Sequence, residues 1–185
     1  MKRKYELVEA RDGLHRIRAL RDFGSVKRGD LGGWIESERN LSHAGDAWVF
    51  DGAQVSGDAR VFNNAWVGGR AKVSGRAEIY GNARVSGRAQ ISGEAQIFGE
   101  ARITDNALVS GRTWVCDNAE VSGDAQISGE VMVYGNARIC GEAMIAGDAL
   151  ICGDAKIFGE ARITGRVRIE GGEILEEVRP LLRRF

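Results

Sequence analysis

Two histidines, three cysteines and scattered arginines are the side chains from which chemistry would have to be built in this 185-residue chain. A general base must sit within hydrogen-bond reach of the proton it takes, and a third group usually orients it. His15 and His43 both precede the regular part of the sequence, so no repeating element sets a carboxylate beside either of them. His43 is the one candidate base, and a turn or cap role accounts for it more simply. Cys116, Cys140 and Cys152 form no Cys-x-x-Cys pair. An odd count fits neither a disulfide framework nor a zinc site, and points to small thiols in a reducing cytosol. Ser56, Ser74, Ser92, Ser110 and Ser128 recur at fixed spacing, but a serine nucleophile needs a base and none is spaced to serve it. They read as turn residues. Val67-Gly68-Gly69-Arg70 opens no helix, so it is not a phosphate loop. The expectation is no catalytic, cofactor-binding or metal-binding residue, and no cofactor.

The elements that would position any site are set by a repeat. From Gly45 to Glu170 the chain divides into 21 hexads without insertion, from GDAWVF and DGAQVS to GRVRIE. Position five is always Val or Ile, and position three is Ala except at Thr113, Val131 and Val167. Position one is Gly in 17 hexads; the others carry Asp51, Asn63, Asp105 and Asp117. Asp and Asn best tolerate a left-handed backbone, so position one is a corner with positive φ. Positions three and five lie two apart and face inward from a strand, and Ala with Val or Ile suits a narrow interior. Phe62, Tyr80, Phe98, Cys116, Tyr134 and Cys152 recur at position six of every third hexad, as the serines do in another column. The period is therefore 18 residues, three hexads per coil, and the 21 hexads make seven coils of a three-sided, single-stranded parallel β-helix.

The ends fall out of this frame. Residues 1–44 are expected to form an N-terminal cap: short strands or a hairpin over Tyr5–Glu9 and Leu14–Phe23, then a turn and strand over Asp30–Glu36 leading into the coils. That cap is expected to cover Trp48 and Trp66. Residues 45–170 are the solenoid. Residues 171–185 read as a capping tail, with Ile174, Val178, Leu181, Leu182 and Phe185 at helical spacing and Pro180 kinking it.

Outward residues carry the binding candidates. Position four of one face reads Trp48, Trp66, Arg84, Arg102, Glu120, Arg138, Lys156. Arg84, Arg102, Arg138 and Lys156 make a weak candidate column for anions. Zero formal net charge and carboxylates beside them point away from nucleic acid. On another face Trp114, Met132 and Leu150 fall at position four of three consecutive coils, with Leu108 and Met144 at the equivalent place next door. Contiguous outward apolar residues mark an interface, so self-association or another protein partner is expected there. No apolar run is long enough for a membrane span or signal peptide, which with the cysteine usage implies a cytoplasmic protein.

The Val/Ile-x3-Ala spacing resembles the hexapeptide pattern of left-handed parallel β-helices, although Ser or an aromatic follows the aliphatic residue here and Gly comes one place later. Right-handed bactofilin-like solenoids, which also use short Gly-Val/Ile repeats, remain the alternative. The run LHRIRALRDFGSVKRGDLGGWIESERNLSHAGDAWV, followed by hexads such as GNARVS and GDARVF, resembles the YdcK-type β-solenoid proteins of enteric bacteria and their prophages. Members are often labelled hexapeptide transferases, a label that derives from fold, and fold does not establish activity. Hexapeptide-repeat acyltransferases resemble this chain in their coils. They use a histidine at a cleft between subunits and loops that interrupt the coils, and here no hexad is interrupted. The first reading is a non-catalytic structural or binding solenoid, a homo-oligomeric scaffold. The alternatives are an acyltransferase at a subunit boundary and a phage protein that binds a host macromolecule.

Overall fold

A computed structural model describes residues 3–174. Alternation along each hexad turns positions three and five inward, and from Ala47 to Ile163 these side chains are at most 2% exposed. The outward residue between them pairs with its equivalent 18 residues on. Gln54, Lys72, Gln90, Leu108, Gln126, Met144 and Arg162 lie side by side in one ladder. Trp48 to Lys156 form a second ladder, and Arg60 to Arg168 a third. All three are parallel, and each coil's N–H groups donate to the next coil's carbonyls, as Trp114 N does to Val131 O at 2.8 Å. The rings of Phe62, Tyr80 and Phe98 stack at 4.9 Å centroid spacing, with planes 6° and 3° apart, which fixes the 18-residue period. The molecule is a parallel β-solenoid, and no α-helix occurs among the described residues.

Corners obey the left-handed rule. Asp51, Asn63, Asp105 and Asp117 have φ between 51 and 58°. Their side chains then do what glycine cannot: the Asp105 and Asp117 carboxylates accept the N–H of Gly123 and Gly135 in the next coil at 3.0 and 3.1 Å.

Stacking extends past both ends of the hexads. Strands β1 (Tyr5–Arg11) and β2 (Leu14–Ala19) form an antiparallel hairpin turned at Asp12-Gly13. Strand β3 (Leu31–Ile35) pairs antiparallel with β2 and also parallel with the first hexad coil, Trp34 beside Gln54. Leu41 bridges to Val61. Both offsets are 20 residues rather than 18, so a further coil precedes the first hexad, two residues out of frame. At the far end Glu173–Ile174 pairs with Lys156–Ile157. The stack therefore has about eight turns, one more than the hexads alone give. Of the expected tail, residues 171–174 continue the stack; the helical spacing at Val178 to Phe185 lies outside the described residues.

Polar side chains close the first coil's edge. Buried Asn40 donates to the carbonyls of Gly57 and Ala59 at 2.9 and 2.8 Å and accepts the Ser37 N–H at 2.8 Å. Lys4 is fully buried, and its ammonium donates to Ala47 O at 2.8 Å while lying 5.1 Å from the Phe23 ring centre. These carbonyls lie where the hexad ladders begin and take these side-chain donors in place of a backbone N–H from an earlier coil, and burial without a partner would cost each of them about 1–3 kcal/mol.

Candidate functional site

The third ladder carries the exposed apolar ladder. Trp114 and Met132 are 42% and 38% exposed and directly paired, and Leu150, half-buried, follows Met132. Beneath Trp114 lie Gln96 and, edge-on at 6.4 Å, the Phe98 ring. The three departures from Ala at position three, Thr113, Val131 and Val167, all fall on this ladder. Thr113 is buried without loss because its hydroxyl donates to Ser110 O at 2.7 Å. The position-two side chains at the adjoining corner mix the two signs. Arg76 pairs with Glu94, Arg112 with Glu130 at 2.7 Å, and Arg166 with Asp148 at 2.9 Å. Trp114 and Met132 with Arg112 and Glu130 line part of a groove of about 530 Å³. Leu108 and Met144 lie in the neighbouring ladder, but Gln126 separates them, so they do not extend the apolar stack.

The basic column is mostly spoken for. Glu120 stands between Arg102 and Arg138, at 3.3 and 3.5 Å, and Lys156 meets Glu173 at 3.1 Å. Arg84 lies over the Trp66 ring, 5.6 Å from its centre. The cap covers Trp48, which packs edge-on against Phe23 and Tyr5 and is 1% exposed. It leaves Trp66 39% exposed, lining a cavity together with the loop at Gly24–Val26.

His43 sits under the cap. Its ring stacks on Tyr5 at 4.3 Å, and Nδ1 accepts the backbone N–H of Lys4 at 3.2 Å. That bond leaves the proton of the neutral ring on Nε2, which is buried without a hydrogen-bond partner. Glu38, absent from the sequence expectation as a partner, lies 3.8 Å from Nε2 on the 3-10 turn Glu38–Asn40, too far for a hydrogen bond. Burial lowers the His43 pKa below its usual value, against the pull of Glu38. Such a ring has no free acceptor: Nδ1 is occupied and Nε2 carries the proton. His15 lies on β2 beside Ile35 of β3. Among the described residues no three His, Cys, Asp or Glu side chains converge as metal ligands, and no helix is long and apolar enough to cross a membrane. Lys4, Asn40 and Tyr5 fall within the expected cap, but their contacts with the orphan carbonyls and the His43 ring were not legible, since those partners exist only once the coils are stacked.

Comparison with known proteins matches the YdcK beta-solenoid repeat at residues 53–69, 77–93 and 125–141. A stretch of 55 residues is 38% identical to "Uncharacterized acetyltransferase YdcK" of Escherichia coli (strain K12), covering 26% of this chain and 17% of that protein. The chain thus aligns with only a small part of that relative's length. At those three stretches the coils of this chain are similar to the YdcK beta-solenoid repeat.

Proposed function

We propose that this chain is a non-catalytic structural or binding solenoid, a scaffold that assembles with copies of itself. The observation that carries this reading is the stacked pair of exposed apolar side chains at Trp114 and Met132, continued by Leu150, on a ladder whose other outward residues are polar. A large aromatic flanked by Met and Leu is a common composition for an interface centre. The uninterrupted hexads add to it, because no loop leaves the coils to build a substrate pocket. The test is mass by light scattering of the wild type, of Trp114→Glu with Met132→Lys, and of a chain lacking residues 175–185. The double variant is expected to lower the assembly state. An unchanged assembly state would remove this ladder as the interface, and a wild type that is monomeric would sink the scaffold reading. If the shortened chain associates where the wild type does not, the apolar ladder was covered by the chain's own end.

A second reading is acyl transfer, favoured by the acetyltransferase in the relative's name and by the approach of Glu38 to His43. The occupied Nδ1 of His43 argues against it. Incubation with acetyl-coenzyme A and a panel of amines and alcohols decides: no turnover is expected, and turnover lost in His43→Ala would overturn the first reading.

A further inference from the structure

The position-two side chains form three columns, one at each corner of the coil, and they handle charge differently. One is an amide column, in which Asn64 donates to Asn82 at 3.3 Å and Asn136 to Asp154 at 2.9 Å. The second, beside Trp114, mixes the two signs, and three neighbouring pairs in it close into ion pairs within the chain. The third precedes the ladder of Leu108 and Met144, and it is segregated. Arg70 and Arg88 occupy two successive coils, Asn106 the next, then Asp124, Glu142 and Glu160. All six are exposed, and none of the five charged ones has an ion-pair partner among the described residues. Stacked coils lie about 4.8 Å apart, so like charges repel at both ends of this column. Within one chain this order gives only the donation from Asn106 to Asp124 at 2.8 Å, whereas the corner beside Trp114 closes three neighbouring pairs into ion pairs.

We infer that this corner and the ladder beside it are a two-fold pairing surface for a second copy of the chain, with the two solenoid axes antiparallel. A two-fold axis lying in the shared face, parallel to the strands at Leu108, sets Arg88 against Asp124 of the second copy and Arg70 against its Glu142. Each contact occurs twice, as an isologous interface requires. The same operation sets Leu108 against itself and Met144, 42% exposed, beside the partner's Lys72 stem. The ladder is flat enough for this, because the residues that follow its strands are small: Ser74, Ser92, Ser110, Ser128 and Ala146. An axis along the solenoid would place Arg70 on Arg70 and Glu142 on Glu142, so the charge order selects the antiparallel arrangement and rejects the parallel one. The inference rests on the scaffold reading for its partner, a second copy, but uses a different surface from the Trp114 ladder.

The test is a charge exchange read by sedimentation or light scattering over a concentration series at low and high salt. Arg70→Glu with Arg88→Glu, and separately Asp124→Arg with Glu142→Arg, should each weaken self-association about tenfold or more, since each sets like charges face to face. Mixing the two variants should restore pairing as a mixed dimer. Combining all four substitutions in one chain should also restore it, because the reversed column is again self-complementary. Wild-type pairing should weaken with salt. Circular dichroism confirms that each exposed-residue variant keeps its strands. The inference is overturned if either double variant associates like the wild type, or if neither mixing nor combination restores pairing. Trp114→Glu with Met132→Lys runs alongside. Loss only in that variant would overturn this surface and leave the scaffold reading standing. Loss only in the charge variants would do the reverse for the Trp114 ladder. A wild type monomeric throughout would remove both.

Discussion

Glycine at the first hexad position answers to two constraints at once. Gly93 has φ of +70°, and a Cβ there would meet the backbone N and O of Gly111 in the next coil at 2.8 Å. Gly93→Ala should therefore cost the left-handed penalty of about 1–2 kcal/mol together with a backbone clash. A measured loss below about 1 kcal/mol in chemical unfolding would show that the coils can part to admit a methyl group. Asp105 marks the contrast: it already occupies the left-handed region and bonds forward to Gly123. The corner was legible in the sequence because only Asp and Asn replace Gly there. The interior was legible because Val or Ile never fails at position five, and Ile97→Ala should cost about 2–5 kcal/mol, since a narrow core cannot collapse around the hole. Asn40 and Lys4 were not legible. A polar residue that serves orphan carbonyls follows no periodicity, and its partners are set by which coil comes first.

At the scale of elements, the hairpin β1–β2 and strand β3 seal the first coil, and they do so with titratable groups. Burial and the nearby Arg21 hold the Lys4 ammonium pKa down to about 8, from an ordinary 10.5. Burial also raises the Tyr5 phenol above its usual 10.0 and lowers His43 below 6.5. The signs differ. A lysine depressed in the folded state leaves the unfolded chain holding more protons between pH 8 and 10.5, so stability rises with pH across that window. The depressed His43 likewise takes stability away as pH falls below 6.5. Tyr5, raised in the folded state, takes stability away as pH climbs above 10.0. Unfolding free energy should thus rise from pH 8 towards 10. Lys4→Met should flatten the rise, and an unchanged slope in that variant would show that Lys4 is not its source. The hairpin was visible in partial alternation over Tyr5–Glu9 and Leu14–Phe23. The extra coil at residues 31–44 was not, because its two-residue slip removes the hexad frame by which coils are recognised. The candidate surface was legible only in part: Trp114, Met132 and Leu150 stack as their spacing implied, while Gln126 parts Leu108 from Met144.

For the whole molecule, core and surface follow different periods. The core repeats every six residues, since every hexad offers small and branched residues at positions three and five. The surface repeats every 18, since ring stacks, ion pairs and charge columns belong to particular ladders. Deletions separate the two. Removing residues 81–98 takes out one whole coil and returns every later hexad to its own ladder. Trp114, Met132 and Leu150 stay on the third ladder, and Arg70 still stands on the opposite side of Asn106 from Asp124. This chain should fold, lose about one repeat's share of stability, and still pair, though with fewer charges matched. Removing only residues 81–86 shifts every later hexad to the preceding ladder. The core pattern survives this, so the chain should still fold. Tyr80 then stacks on Thr104 instead of Phe98, which forfeits an aromatic pair of about 0.5–1.5 kcal/mol. The corner that held the segregated charges now reads Arg70, Glu94, Arg112, Glu130, which alternates, so antiparallel pairing should vanish while the Trp114 ladder moves intact to its new side. Circular dichroism with thermal unfolding reads the fold, and light scattering reads the pairing. A six-residue deletion that fails to fold would mean that the three ladders are not interchangeable inside, and the core would then share the 18-residue period of the surface.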